Sequence, residues 1–106
     1  DMVLRGGENI YCSEVENVLF RHEAVQEAAV FAVPDERLGE EVGAAVYPRP
    51  GSELTAEALR EFSREYLAAF KIPRYIWVMD DPLPRNANGK FLKKALRSNL
   101  DVEDAG

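Results

Sequence analysis

The sequence is short of several residue types that define particular classes of protein. Its 106 residues contain one cysteine, Cys12, one histidine, His22, and one tryptophan. A single cysteine cannot build a disulfide framework, which favours a reducing compartment and predicts a cytoplasmic location. No apolar stretch approaches the ~20 residues that a transmembrane helix requires, so we predict no transmembrane segment. The lone histidine and cysteine give no metal-ligating pattern, and we predict no metal site.

Positive charge is also scarce. Thirteen Lys and Arg residues stand against nineteen Asp and Glu residues, which gives a formal net charge of −6. Because nucleic-acid-binding domains generally carry a basic stripe, we predict no nucleic-acid partner. A local basic site stays open in the last third of the chain, where positive residues collect at Lys71, Arg74, Arg85, Lys90, Lys93, Lys94 and Arg97.

The length and composition fit one domain over residues 1–106. Apolar residues make up 46% of the chain and charged residues 30%, which is ordinary for a globular protein. A chain of this size buries roughly 65% of its unfolded surface, so it can form a hydrophobic core without disulfides or a structural metal. The apolar pattern is already present at Met2–Leu4, whereas a natural domain usually begins with a polar segment. We therefore expect Asp1 to lie inside a longer protein.

The hydrophobic pattern predicts an α+β domain. Two short apolar runs flank Gly6 and Gly7, which predicts a small β-hairpin. Ser13 and Glu16 have the spacing of a capping box, which predicts a helix beginning at Ser13. Thr55 is predicted to cap a second helix.

The rest of the pattern completes the predicted fold. Continuous apolar runs predict buried strands, and a final periodic segment predicts the last helix. These strands cover 28–33, 42–47 and 75–79, and the helix covers 91–100. The predicted fold is a small hairpin plus a three-stranded sheet packed with helices.

Lys90 is the residue that local rules explain least well. A last helix starting near Asn88 would put Lys90 in its first turn, where the helix dipole disfavours a cation. A residue that breaks a local rule is a candidate for function. The ordinary alternative is a solvated surface lysine, and composition alone favours it. The surrounding segment is not a Walker loop, because Pro84 and Phe91 stand where that loop requires glycine and Ser or Thr.

Four other positions have ordinary explanations. Gly6 and Gly7 either supply a turn that needs positive φ or allow a ligand close to the backbone, and their spacing alone favours the turn. His22 is predicted to lie on a helix surface or at the edge of the core. Cys12 is predicted to be a small buried apolar residue.

Several segments, in order, resemble the C-terminal domain of the adenylate-forming superfamily. The resemblance is to the acyl-CoA synthetase, or fatty-acid-CoA ligase, type and covers nearly the whole chain. The matching segments are 1–11, 14–16, 33–36, 39–42, 70–74, 82–85 and 89–90. The family usually has Thr where Asn86 stands and Ser or Thr where Asn88 stands. In the family's terminal motif, a catalytic lysine occupies the position at which Lys90 stands in this sequence.

This resemblance implies a two-step reaction. A carboxylate attacks the α-phosphate of ATP to give acyl-AMP and pyrophosphate, and the CoA thiol attacks acyl-AMP after the small domain rotates. Lys90 would be catalytic in the first step. The residues that would face the CoA pantetheine in the second step are Gly6, Gly7, Glu8 and Asn9.

The resemblance also implies cofactors and partners. The full-length enzyme would use ATP/AMP, CoA and Mg²⁺, whereas the isolated domain would bind none of them and be inert. Its partners would be its own large N-terminal adenylation domain, absent from this chain, with acyl-AMP and CoA at the interface. Apart from the resemblance, a lysine acetyltransferase acting in the Gly89-Lys90 loop is a further predicted partner. Two alternatives remain: a ligase that passes the acyl group to a carrier protein, and a stand-alone interaction module regulated by lysine acetylation.

Overall fold

The computed structural model describes residues 1–106 and contains five strands and three α-helices. The strands are β1 Met2–Arg5, β2 Glu8–Tyr11, β3 Val25–Asp35, β4 Gly39–Pro48 and β5 Tyr75–Val78. The helices are α1 Cys12–Phe20, α2 Ala56–Ser63 and α3 Lys93–Asn99. Short 3₁₀ helices cover Ala69–Lys71 and Val102–Asp104. None of the helices is long and apolar enough to cross a bilayer. The predicted α+β class is confirmed.

β4 is the centre of a mixed sheet. It pairs antiparallel with β3 along almost its whole length and parallel with β5 over 43–46. β1 joins β4 through the single pair Arg5↔Gly39, and β2 completes the hairpin with β1. The predicted hairpin is therefore continuous with the predicted three-stranded sheet, in the order β2-β1-β4-β3 with β5 also on β4. This continuity holds the Gly6-Gly7 turn in a defined place.

Both faces of the β3–β4 pair are buried, which explains their continuous apolar sequences. One face packs against α1 and α2 around Leu19 and Leu59, both fully buried. The other packs against α3 through Phe31, Trp77 and Leu96. Because α1–α2 and α3 cover opposite faces, the segment leading into α3 must pass the edge of the sheet.

Gly43 lets the second face pack closely. Phe31 and Trp77 stack there with ring centroids 5.8 Å apart. A Cβ at Gly43 would lie 2.6 Å from Val33 Cγ2 and 3.1 Å from Trp77 Cζ3. This position therefore needs glycine because no side chain fits.

The start of α1 differs from the prediction. The helix begins at Cys12, and no side chain caps it. Glu16 Oε2 instead accepts a hydrogen bond from Val30 N at 2.8 Å and binds Lys93 Nζ at 2.8 Å. The predicted capping box is therefore wrong. β3 lies at the edge of the sheet, and the carboxylate satisfies an edge amide that would otherwise be unpaired.

The start of α2 agrees with the prediction. Thr55 Oγ1 accepts a hydrogen bond from Ala58 N at 3.1 Å. This bond satisfies one of the amides that have no partner within the first turn of a helix. Leu54 and Leu59, on either side of the cap, belong to the same core.

Candidate functional site

Lys90 lies in a short loop over residues 85–91 (the Lys90 loop) rather than in a helix. Arg85 and Phe91 form an isolated antiparallel bridge, and α3 begins only at Lys93. Within the loop, Asn86 N donates to Lys90 O at 2.8 Å and Gly89 N donates to Asn86 O at 3.0 Å. A helix start near Asn88, which would have put Lys90 in a first turn, is not found, and the helix predicted over 91–100 covers Lys93–Asn99. The argument from the helix dipole therefore does not apply.

The side chain of Asn86 builds the loop. Its Oδ1 accepts hydrogen bonds from Asn88 N at 2.9 Å and from Lys90 N at 3.0 Å. Gly89 has φ +83°, a left-handed conformation that lets the chain turn back. The asparagine thus closes the loop from within, as Ser, Thr and Asn side chains commonly do in turns. The backbone of Lys90 is fixed, while its side chain is exposed and makes no ion pair within the chain.

The two glycines of the hairpin have different environments. Both have positive φ, +53° at Gly6 and +90° at Gly7, which confirms the predicted turn. Gly6 N donates to Leu38 O at 2.8 Å, and a Cβ at Gly6 would lie 2.9 Å from Leu38 Cδ2. A Cβ at Gly7 would meet nothing within 4 Å. Packing therefore explains Gly6, whereas Gly7 presents bare backbone to open space beside the exposed Glu8 and Asn9.

Two acidic residues at the start of β4 hold the hairpin. Leu4 N donates to Glu40 Oε1 at 2.8 Å, and Arg5 Nε donates to Glu41 Oε1 at 2.8 Å. The side chain of Glu41 is only 7% exposed, so this ion pair is shielded on the carboxylate side. The hairpin is consequently a fixed part of the domain.

A groove of about 530 Å³ opens between the hairpin, α2 and the segment before β5. Four guanidinium groups face two carboxylates in it. Its lining includes Arg5, Arg60, Arg64 and Arg74 with Glu41, Glu57, Phe70 and Tyr75. The excess of arginine suits a phosphate-bearing ligand, because the planar guanidinium matches phosphate oxygens. Sequence reasoning missed this groove, since its arginines are scattered from the first strand to the last.

The four arginines of the groove differ in availability. Arg60 is structural, because its guanidinium donates to Pro73 O at 3.0 Å and Arg74 O at 2.6 Å. Arg64 is half-exposed and pairs only with Glu61 on its own helix. The Arg74 guanidinium is exposed and donates a hydrogen bond to the Tyr75 hydroxyl at 3.4 Å, which raises the pKa of Arg74. Arg64 and Arg74 are thus the residues free to meet an anion.

His22 and Cys12 agree with their ordinary interpretations. His22 Nδ1 accepts a hydrogen bond from Ala24 N at 3.1 Å, and its ring packs edge-on against Phe62. Cys12 is buried, and this burial raises the pKa of its thiol. No group of three or more His, Cys, Asp or Glu side chains converges to hold a metal ion.

Residues 14–90 match the sequence family described as the AMP-binding enzyme C-terminal domain. The chain belongs to this family. The match runs from α1 through the central sheet and ends on Lys90, so it includes residues 85–90 of the Lys90 loop.

Relatives of this AMP-binding enzyme C-terminal domain are CoA ligases by name. The mitochondrial medium-chain acyl-CoA ligase of Mus musculus is 44% identical over 101 residues, covering 95% of this chain and 16% of the relative. The 2-succinylbenzoate–CoA ligase of Geobacillus sp. is 41% identical over 106 residues, covering 100% of this chain and 21% of the relative. The chain thus spans about a fifth of the length of these relatives.

Solved structures support the same fold. The o-succinylbenzoate CoA synthetase of Bacillus subtilis, in complex with its acyl-adenylate intermediate, has a TM-score of 0.83 and 40% identity over 92% of this chain and 19% of its own. The fatty acyl CoA synthetase of Mycobacterium tuberculosis has a TM-score of 0.87 and 35% identity, and the match covers 97% of this chain and 20% of the synthetase chain. An amide bond synthetase from Marinactinospora thermotolerans has a TM-score of 0.86 and 35% identity, and the match covers 92% of this chain and 20% of that synthetase chain.

Proposed function

We propose that this AMP-binding enzyme C-terminal domain is the mobile domain of an ATP-dependent acyl-CoA ligase, with Lys90 as its catalytic residue. The observation that carries the proposal is the Lys90 loop, which fixes the backbone of an exposed lysine that has no partner in its own domain. The large adenylation domain is its principal partner, and acyl-AMP and CoA meet it at the domain interface. Alone, the domain is inert, because pockets for adenine and the acyl group lie elsewhere.

The first step joins two anions. The substrate carboxylate oxygen bonds to the α-phosphorus of ATP, the bond from that phosphorus to the β-phosphate oxygen breaks, and pyrophosphate leaves with the electron pair. Lys90 offsets the repulsion between the carboxylate and the phosphate. At ~4 Å and an effective dielectric constant near 20, one such contact contributes about 4 kcal/mol before desolvation. The domain has no cluster of side chains for Mg²⁺, and we assign it no step through that ion.

The second step forms the thioester. The CoA sulfur bonds to the acyl carbon, its proton leaves to solvent, and AMP departs with the electrons of the acyl–oxygen bond. Gly7 leaves space for the pantetheine arm and offers a bare backbone to it. Arg5 directly precedes the glycines and also lines the arginine groove, so the groove continues from the hairpin. A phosphate-bearing end of CoA therefore fits in the groove while its thiol end passes Gly7.

The two candidate sites lie at opposite ends of β3, which supports a rotation between the steps. Arg85, in the Lys90 loop, binds Glu27 near the beginning of β3. Gly6, in the hairpin, binds Leu38 just beyond its end. At ~3.3 Å per residue, the eight steps from Glu27 to Asp35 span roughly 26 Å. A rigid domain cannot bring both ends to one acyl carbon at once, and it must turn to present them in succession.

The acceptor distinguishes this function from its alternatives. A carrier-protein thiol would replace CoA in one alternative, and the similarity to an amide bond synthetase makes an amine a further acceptor to test. A stand-alone interaction module modified by a lysine acetyltransferase would have no acceptor. The mouse relative is named as a mitochondrial enzyme. The cytoplasmic location of this protein therefore stays a prediction.

We expect the full-length enzyme to release pyrophosphate from ATP and a carboxylic acid, and to form a thioester only when CoA is added. The assay would pair medium-chain and aromatic acids with CoA, a phosphopantetheinylated carrier protein or an amine. Residues 1–106 alone serve as the control and should give neither product. Exclusive transfer to the carrier protein or the amine would contradict the CoA-ligase assignment, and an absence of pyrophosphate release would contradict adenylation itself.

We expect Arg64→Ala to raise the KM for CoA by roughly tenfold, as expected for the loss of one charge-assisted hydrogen bond. Acyl-AMP formation should stay near wild type, because the groove would act only after CoA binds. The measurement is the CoA dependence of thioester formation from supplied acyl-AMP. Arg49→Ala, an exposed arginine outside the groove, is the matched control. An unchanged KM for CoA in Arg64→Ala would remove the groove from the proposed CoA path.

A further inference from the structure

The guanidinium group of Arg85 links the Lys90 loop to the sheet. Arg85 Nη2 donates to Glu27 Oε2 at 2.8 Å, and Arg85 Nη1 donates to Gly89 O at 3.2 Å. The guanidinium carbon also lies 4.4 Å from the centroid of the Phe91 ring. Arg85 therefore contacts the residue before Lys90, the residue after it and the sheet.

Glu27 gives the loop its fixed point on the sheet. Its second oxygen, Oε1, accepts a hydrogen bond from Leu83 N at 2.8 Å, so the two oxygens bind Leu83 and Arg85. The side chain is only 12% exposed. A register irregularity of the β3–β4 ladder lies between Val25 and Glu27, and such bulges re-aim side chains at a strand edge. Glu27 stands directly beside this irregularity, and its side chain reaches the loop.

We propose that Arg85 and Glu27 are positioning residues for Lys90 in acyl-AMP formation. The inference rests on the proposed function and adds to it the groups that set the lysine in place. Both groups of the pair are engaged within the domain, so their effect on the reaction passes through the loop. Displacing a catalytic group by about 1 Å can cost roughly 10²-fold in rate, and without this guanidinium the loop loses its ion pair with the sheet.

The test compares single and double variants of the full-length enzyme. Arg85→Ala and Glu27→Gln should lower the kcat of acyl-AMP formation by roughly 10- to 100-fold, measured by pyrophosphate exchange. Thioester formation from supplied acyl-AMP should stay near wild type, since that step uses the opposite end of β3. Adding Arg85→Ala to Lys90→Ala should cost nothing further, because a positioning residue has no effect once the group it positions is gone. Arg97→Ala, an exposed arginine of α3, is the control and should change neither step.

A conservative variant guards against simple unfolding. Arg85→Lys keeps the charge and the stem but cannot bind Glu27 and Gly89 O with one planar fork, so adenylation alone should fall. Equal losses in both half-reactions for Arg85→Lys would overturn the inference. So would additive losses in the double variant, because Arg85 would then act on the substrate directly. An impaired Lys90→Ala beside a fully active Arg85→Ala overturns this inference alone, whereas a fully active Lys90→Ala removes the proposed function as well.

Discussion

In the full-length enzyme, Lys90→Ala is expected to slow acyl-AMP formation by roughly 10²-fold or more, the loss typical of one preorganised transition-state contact. The lysine is exposed, lacks a partner in its own domain and has a fixed backbone, so its charge is available to the reacting anions. Thioester formation from supplied acyl-AMP should be much less affected, because rotation of the domain would by then have moved the lysine away from the reacting atoms. Pyrophosphate exchange and thioester release measure the two steps separately.

Two further variants make this prediction specific to charge at one position. Lys90→Gln, which imitates acetylation, should reproduce the loss, because it removes the charge while keeping most of the length. Lys94→Ala removes an exposed lysine of α3 and should leave both steps unchanged. The free energy of unfolding should barely change in any of them, as is usual for exposed side chains. Wild-type pyrophosphate exchange by Lys90→Ala would return Lys90 to the role of a solvated surface lysine.

Gly7→Leu is expected to impair thioester formation by roughly 10²-fold while leaving acyl-AMP formation near wild type. No atom lies within 4 Å of a Cβ built at Gly7, so the new side chain would enter the space assigned to pantetheine. The Lys90 loop is fixed at the other end of β3 and should not be disturbed. The measurement is the ratio of the two half-reaction rates in the variant and in wild type.

A matched glycine separates obstruction from backbone strain. Gly51 has φ +83° against +90° at Gly7, and a Cβ there also meets nothing within 4 Å. Gly51→Leu therefore introduces similar backbone strain away from the hairpin and should not impair thioester formation selectively. Equal losses of both half-reactions in Gly7→Leu, or a selective loss of thioester formation in Gly51→Leu, would count against a pantetheine path over the hairpin.

The sequence by itself determined the features that depend on neighbouring residues. The apolar runs around Val30 and Ala44 predicted buried strands because a strand covered on both faces has no polar alternation. Two consecutive glycines predicted a turn with positive φ at Gly6 and Gly7, since other residues seldom adopt that conformation. Thr55 predicted its helix cap, because such a bond reaches only three residues along the chain. The family resemblance rested on motifs of the same local kind.

Only the tertiary structure decided how distant residues meet. Glu16 was predicted to cap its own helix, yet its carboxylate accepts a hydrogen bond from the Val30 amide at the edge of β3. Lys90 directly precedes the predicted last helix and lies in a loop that Arg85 ties to Glu27, 58 residues away. The arginine groove likewise joins residues from β1, α2 and β5. Local periodicity carries no information on such contacts, which arise when the folded sheet brings separate segments together.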